Sequence, residues 1–264
     1  MPTSNDITYW NEEAKKDTNF SSVISPDDKI GLKAKYVNTI NKNCLEPEIL
    51  KLKSGSTILD FGCGVGRLSQ WKAFNKHKYI GIDRSENMVK AAQGYFGSNK
   101  NLTFITYTGE KLPFDNNSLD CIIAIWVLQH ILDDDHLQHL LNEFKRILKD
   151  NGNIFLIEQI SHEEHAEYLK NGVVYKKHRT LARYKELFSE NYSFVLSNKT
   201  DGLVSHGLFY KSLNVFSRLH FSFIKYGIRF LIVLDGIYYH FIRRFFNPKW
   251  IDTFILFSKK ELID

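Results

Sequence analysis

Residues 57–67 read Thr57-Ile58-Leu59-Asp60-Phe61-Gly62-Cys63-Gly64-Val65-Gly66-Arg67. An apolar run, an acid and three alternating glycines follow one another. Runs of this length suit strands buried on both faces of a parallel sheet. Glycines tolerate positive φ and let backbone amides approach a ligand closely, and a helix opening behind the loop would add unpaired amides. A second run, Tyr79–Ile82, ends in Asp83, 17 residues after Gly66. A carboxylate there accepts hydrogen bonds from both hydroxyls of a ribose. The spacing is G-x-G-x-G with an acid two residues earlier, not the G-x-G-x-x-G that cradles a pyrophosphate. The loop therefore points to a nucleoside without phosphates.

Outward from this loop, apolar runs alternate with amphipathic stretches. Leu102–Tyr107, Cys121–Trp126 and Ile154–Ile157 read as further strands. The spacing of Leu137, Leu140, Leu141, Phe144 and Leu148 predicts a helix over 134–149. Asp133, Asp134 and Asp135 sit at its positive end, so they read as a helix start rather than a metal site. A helix near 180–189 and strands near 192–197 and 251–257 complete the pattern. Residues 1–50 read as a helical lid, with Pro47 placed to start a short helix at Glu48. The expected fold is α/β, a doubly wound, mostly parallel sheet with helices on both faces. Its core spans 51–202 and closes with 250–264, and a helical cap, 203–249, is inserted between the last two strands.

Ile58–Arg67 (ILDFGCGVGR) and Tyr79–Met88 (YIGIDRSENM) resemble the first two signatures of class I, Rossmann-like S-adenosylmethionine-dependent methyltransferases. Residues 109–131 (GEKLPFDNNSLDCIIAIWVLQHI) and 148–158 (LKDNGNIFLIE) are similar to the signatures around that family's fourth and fifth strands. The resemblance implies a seven-stranded sheet whose last-placed strand runs antiparallel, and S-adenosylmethionine as cofactor. It places Asp60, Gly62, Cys63, Gly64 and Gly66 along the methionine part, with Arg67 facing the carboxylate. It gives Asp83 to the ribose, Arg84 and Met88 to the flanks of the adenine, and Thr108, Gly109 and Glu110 to its edge. Ile125 and Trp126 close the methionine side. Thr108 departs from the family, where many members carry an aspartate. Tyr9 and Trp10 resemble an aromatic pair that folds over the cofactor; an aromatic pair packed on the core reads as well.

The cofactor of such a family brings the reactivity, so the protein supplies position and, for a hydroxyl acceptor, proton removal. His130 lies just past the fourth strand, where an imidazole with an ordinary pKa near 6.5 can take a hydroxyl proton. A histidine capping the turn reads equally well. Glu158 ends the fifth run and is the second candidate catalytic group. Glu158, His162 and His165 would share one face of a helix. With His162 and His165 as the candidates, one histidine in contact with substrate and one in solvent is nevertheless preferred to a metal site, and no metal is expected. Arg179 and Tyr184 open the next helix and are candidates to face substrate. The residues after the fourth strand, Ile125-Trp126-Val127-Leu128-Gln129, lack the Asn/Asp-Pro-Pro-aromatic tetrapeptide of base and amide N-methylation.

Hydrophobic content of 43% and charged content of 25% describe an ordinary globular chain able to bury its own core. A net charge of +5 does not by itself call for nucleic acid, and no nucleic-acid partner is expected. Cys44, Cys63 and Cys121 show no zinc or disulfide spacing, and Met1–Trp10 has no signal-peptide core, so a cytoplasmic location is expected. Segment 203–249 is rich in Phe and Tyr and holds seven Lys or Arg against one acid, Asp235. Lys211, Arg218, Ser222, Lys225 and Arg229 share one stripe, while Arg243 and Arg244 could meet a phosphate. Three readings stay open: a cap packed over the site, preferred because the segment returns directly to a core strand, peripheral contact with a membrane, and dimerisation. The expected reaction is O-methylation of a sugar or glycan precursor, free or lipid-linked. A phenolic, lipid or RNA acceptor, or a regulatory protein that binds the cofactor without catalysis, is the alternative. Oligomeric state has no signal in the sequence.

Overall fold

A computed structural model of the chain describes residues 4–15, 30–109, 111–168, 174–199, 224–242 and 250–260, together with 24, 28, 172, 212 and 213. Seven strands form one sheet: β1 Thr57–Phe61, β2 Lys78–Asp83, β3 Leu102–Thr106, β4 Leu119–Ile125, β5 Leu148–Ser161, β8 Tyr192–Lys199 and β9 Trp250–Lys259, in the order β3-β2-β1-β4-β5-β9-β8. The first five strands in that order are parallel, and β9 runs antiparallel to both β5 and β8. The order reverses at β1, and a ligand crevice opens at such a switch point, beyond the strands' carboxyl ends.

Alternation along the central strands builds two cores. Leu59, Phe61, Ile122 and Ala124 face helices α4 (Asp134–Ile147) and α5 (Leu181–Phe188). Ile58, Cys121 and Ile123 face the other side, with α2 (Leu32–Ile49) and α3 (Glu86–Phe96). The acidic triplet does start α4: the Asp133 carboxylate accepts from the His136 amide at 2.9 Å.

Three local expectations are corrected. Pro47 lies inside α2 instead of starting a helix, because Leu45 and Ile49 on either side of it are both fully buried. That burial outweighs one lost backbone bond. No α-helix follows the glycine loop. Two 3₁₀ turns, Arg67–Gln70 and Lys72–Lys76, take its place, since Leu68, Trp71 and Phe74 bury at a spacing of three, the 3₁₀ repeat. Residues 158–165 are not helical. β5 continues to Ser161 and leads to a hairpin of β6 (His165–Tyr168) and β7 (Val174–His178).

At the amino end, α1 (Ser4–Lys15) docks on the start of α3 through Asn11, whose side chain accepts from Ser85 Oγ at 2.7 Å. In the inserted segment, α6 (Ile224–Ile242) packs on α2 through Ile228 and Ile232, and Tyr36 donates to Asp235 at 2.6 Å. Lys211, Arg218, Ser222, Arg243 and Arg244 lie outside the described residues. No helix among the described residues is long and apolar enough to cross a membrane.

Candidate active site

A cavity of about 440 Å³ opens where β1, β2 and β4 end. Its floor is the glycine loop. Gly62, Gly64 and Gly66 have φ of 74°, 54° and 77°, a region that side chains rarely adopt. Gly62 also lies so close to Val127 that a Cβ would meet its Cγ2 at 2.4 Å. The Gly62 and Cys63 amides both donate to the Ile82 carbonyl, which ties the loop to β2. Gly66 does not line the cavity. It packs against Phe104 and Ala92 and caps the first 3₁₀ turn, so its place is structural.

Asp83 closes β2 and lines the cavity. One carboxylate oxygen accepts from the Gly64 amide at 2.9 Å and the other from the Ser85 amide at 2.8 Å. Each oxygen keeps a second lone pair for a hydroxyl. Burial, only partly offset by these amides, raises its pKa. Asp60 is fully enclosed and accepts from the Tyr79 hydroxyl; burial lifts its pKa to about 7. Arg67 is buried beside it, and burial lowers its pKa to about 10, so it is still cationic at neutral pH.

Cys63, Arg84, Met88, Gly109, Ile125 and Trp10 also line the cavity. Tyr9 lies off its wall, edge-on to Trp10 at 5.0 Å. Thr108 is exposed and off the wall, where Tyr107 stands instead; Glu110 lies outside the described residues. Trp126 has a φ of 57°, a conformation unusual for an aromatic residue. Two bonds hold it there: its amide donates to Ile157 and its indole to Asp252, each at 2.8 Å.

His130 sits in the 3₁₀ turn Leu128–His130 and lines the same cavity. Its Nδ1 lies 2.8 Å from the Tyr175 carbonyl. A carbonyl only accepts, so Nδ1 carries the hydrogen and Nε2 is the basic nitrogen. Burial pushes its pKa down to about 4, so the ring is neutral at physiological pH. Trp10 stands edge-on to it at 5.4 Å.

The other proposed acid–base group is corrected. Glu158 is fully buried in mid-strand, and its carboxylate accepts from the amides of Val127, Leu128 and Gln129 at 3.0, 2.8 and 3.3 Å. It holds the turn that carries His130 and does not line the cavity. Arg179 is corrected likewise. It is buried, donates to the Leu128 and Ile131 carbonyls, and pairs with Asp134 at 2.7 Å. Burial works against the Asp134 charge, but hydrogen bonds from Arg183 and Arg179 outweigh it and hold that carboxyl well below the usual range. Tyr184 is fully buried in the core under α5, away from any substrate.

His162 is exposed, and His165 stacks on His178 at 4.6 Å; neither lines the cavity. The helical trio Glu158, His162 and His165 does not form. His165, Glu167 and His178 converge instead, but Glu167 is already engaged by His178, Tyr175 and Lys176 at 2.7, 2.7 and 3.1 Å. Among the wall residues that sequence reasoning missed are Gln159, Tyr175, Lys176 and Asp252. Two come from the unforeseen hairpin and two from strands whose pairing is set far away in the chain.

Two buried polar atoms on the wall, Arg84 Nε and Gln129 Oε1, have no hydrogen-bond partner among the described residues. Such atoms call for a polar ligand. With Asp83 for a ribose, cationic Arg67 for a carboxylate and apolar Met88 for a base, the wall has the groups that an amino-acid nucleoside requires, in a cavity of ligand size. Residues 58–152 match the family described as the methyltransferase domain. They form a class I methyltransferase domain, with S-adenosylmethionine as its cofactor.

Relatives of known name agree with this domain. A phosphoethanolamine N-methyltransferase of Triticum aestivum is 28% identical over 194 residues, which are 71% of this chain and 36% of the relative. Another, from Arabidopsis thaliana, is 31% identical over 122 residues, 44% of this chain and 25% of the relative. The chain thus spans a quarter to about a third of the length of these relatives. Among solved structures, a methyltransferase of Leishmania major superposes with a TM-score of 0.64 at 15% identity, covering 97% of this chain and 82% of that one. The phosphoethanolamine N-methyltransferase 1 of Haemonchus contortus, solved with phosphoethanolamine and S-adenosylhomocysteine, gives 0.60 at 16% identity, covering 98% and 49%. These two likenesses share the fold.

Proposed function

We propose that the protein transfers a methyl group from S-adenosylmethionine to a proton-bearing nucleophile, first of all a hydroxyl of a sugar or glycan precursor. One observation carries this reading: His130 is a neutral imidazole on the cavity wall, with Nδ1 committed to Tyr175 and Nε2 left as the base. The cofactor, when bound, supplies an electrophilic sulfonium methyl. Asp83 and the glycine loop hold it in register, and Trp10 with α1 shields the site from water. His130 accepts the acceptor's proton at Nε2 as its oxygen or nitrogen attacks. The Trp10, Trp126 and Tyr175 rings, with the amides of Gln129 and Gln159, offer stacking faces and hydrogen bonds of the kind a sugar ring uses.

A second reading is an amine on a small phosphorylated amino alcohol. The names of the relatives favour it, and so does Lys176, a cation on the wall. The test is incubation of the full chain with methyl-labelled S-adenosylmethionine and separate panels of nucleotide sugars, glycan precursors and phosphoethanolamine. Label on a sugar hydroxyl supports the first reading, and label on phosphoethanolamine replaces it with the second. Cofactor binding with no transfer to any panel or to cell extract would favour a regulatory role.

A further inference from the structure

The outer face of α6 is apolar where water should meet it. Tyr226, Phe230, Val233 and Ile237 are 93%, 65%, 58% and 51% exposed, at spacings of four, three and four, one continuous stripe of a helix. The opposite face, Ile228, Ile232 and Asp235, is buried on α2. The helix is therefore apolar on both sides, although only one side has a core to cover. A stripe of this kind on a soluble surface marks a contact site.

The charge beside the stripe selects the partner. Asp235, the one acid of 203–249, turns inward to Tyr36. Arg229 is exposed on the border of the stripe that faces α2. There a groove of about 610 Å³ runs between α2 and α6, lined by Lys35, Asn38, Thr39, Lys42, Tyr226 and Arg229. Lys42 pairs with Glu46 at 3.4 Å, whereas Lys35 and Arg229 have no acidic partner among the described residues. None of the described residues of α6 lines the cofactor cavity.

We propose that α6 docks on an anionic lipid bilayer. The four apolar side chains enter the headgroup boundary, and a headgroup phosphate sits in the groove against Lys35 and Arg229. A helix that lies in the interface has this form, an apolar face bordered by cations. Arg67 contributes to the walls of both the groove and the cofactor cavity, so docking would bring the membrane surface beside the methyl-transfer site. This inference does not depend on which nucleophile is methylated.

The test is co-sedimentation of the full chain with phosphatidylcholine vesicles, with and without about one third phosphatidylserine. Binding is expected to the anionic vesicles at low salt and to weaken as salt screens the charges. Phe230→Asp with Val233→Asp should lower partitioning at least about tenfold, the burial of one such side chain. Arg229→Gln and Lys35→Gln should each lower it about fivefold. Cofactor affinity, read by calorimetry, should be unchanged in all of them. Should the double variant lose cofactor binding as well, the two exposed single variants decide. Wild-type protein that ignores anionic vesicles at low salt overturns the proposal. So does equal binding by the variants. A dimer in light scattering that the double variant dissociates, without vesicle binding, would assign the stripe to a second copy instead.

Discussion

Removing the Glu158 carboxylate separates a structural group from a catalytic one. Glu158→Ala leaves three buried amides, those of Val127, Leu128 and Gln129, without an acceptor. Each such loss costs about 1–3 kcal/mol. The sum is lowered because burial already raises the carboxyl pKa to about 7, so the charged form was itself poorly solvated. A net cost near the low end, about 3 kcal/mol, is expected. At about 2–4 °C per kcal/mol for a domain of this size, thermal unfolding should fall by roughly 6–12 °C. Glu158→Gln keeps one oxygen for Val127 and Leu128 and loses only the 3.3 Å bond to Gln129, so it should cost about 1 kcal/mol and keep most of the turnover. The assay is thermal unfolding followed by circular dichroism, beside turnover measured below the transition. An Ala variant of unchanged unfolding temperature, with turnover abolished in the Gln variant, would refute the reasoning and make Glu158 catalytic.

His130→Ala should lower turnover by about 10²–10⁴ with near-normal cofactor affinity, measured by steady-state kinetics and calorimetry. Because burial depresses the His130 pKa to about 4, the base is lost only as pH falls through that value; a histidine ring titrating near 6.5 by NMR would contradict the burial. Asp83→Ala should weaken S-adenosylmethionine binding roughly 10- to 100-fold by calorimetry, since charge-assisted bonds to the ribose are lost. Arg179→Ala should destabilise the fold by about 2–4 kcal/mol in denaturant unfolding, because the Leu128 and Ile131 carbonyls lose their donor while Asp134 keeps Arg183 and Lys177, and Arg179→Lys should recover only part of that.

The sequence was most legible where local spacing carries the meaning. The glycine loop and Asp83 lie within two short runs, and the alternation of the central strands shows directly in Ile58, Leu59, Ile122 and Ile123. Distant partners defeated the rest. Glu158 reads as a rim carboxylate until the Val127–Gln129 amides, some thirty residues away, take it. Arg179 and Tyr184 read as a helix start, but a charge at Asp134 and a core under α5 bury them. The β6–β7 hairpin is short and rich in polar residues, with Glu167 held by Tyr175, Lys176 and His178, so it left no clear hydrophobic period to find. That hairpin supplies Tyr175, whose carbonyl fixes the tautomer of His130.

The most direct test is a crystal structure of the complex with S-adenosylhomocysteine. The ribose hydroxyls should lie within hydrogen-bond distance of Asp83, and the methionyl part should lie along Gly62–Gly64. The sulfur should share an open space with His130 Nε2. A product bound away from Asp83, or an Nε2 turned out of the cavity that holds it, would contradict the assignment.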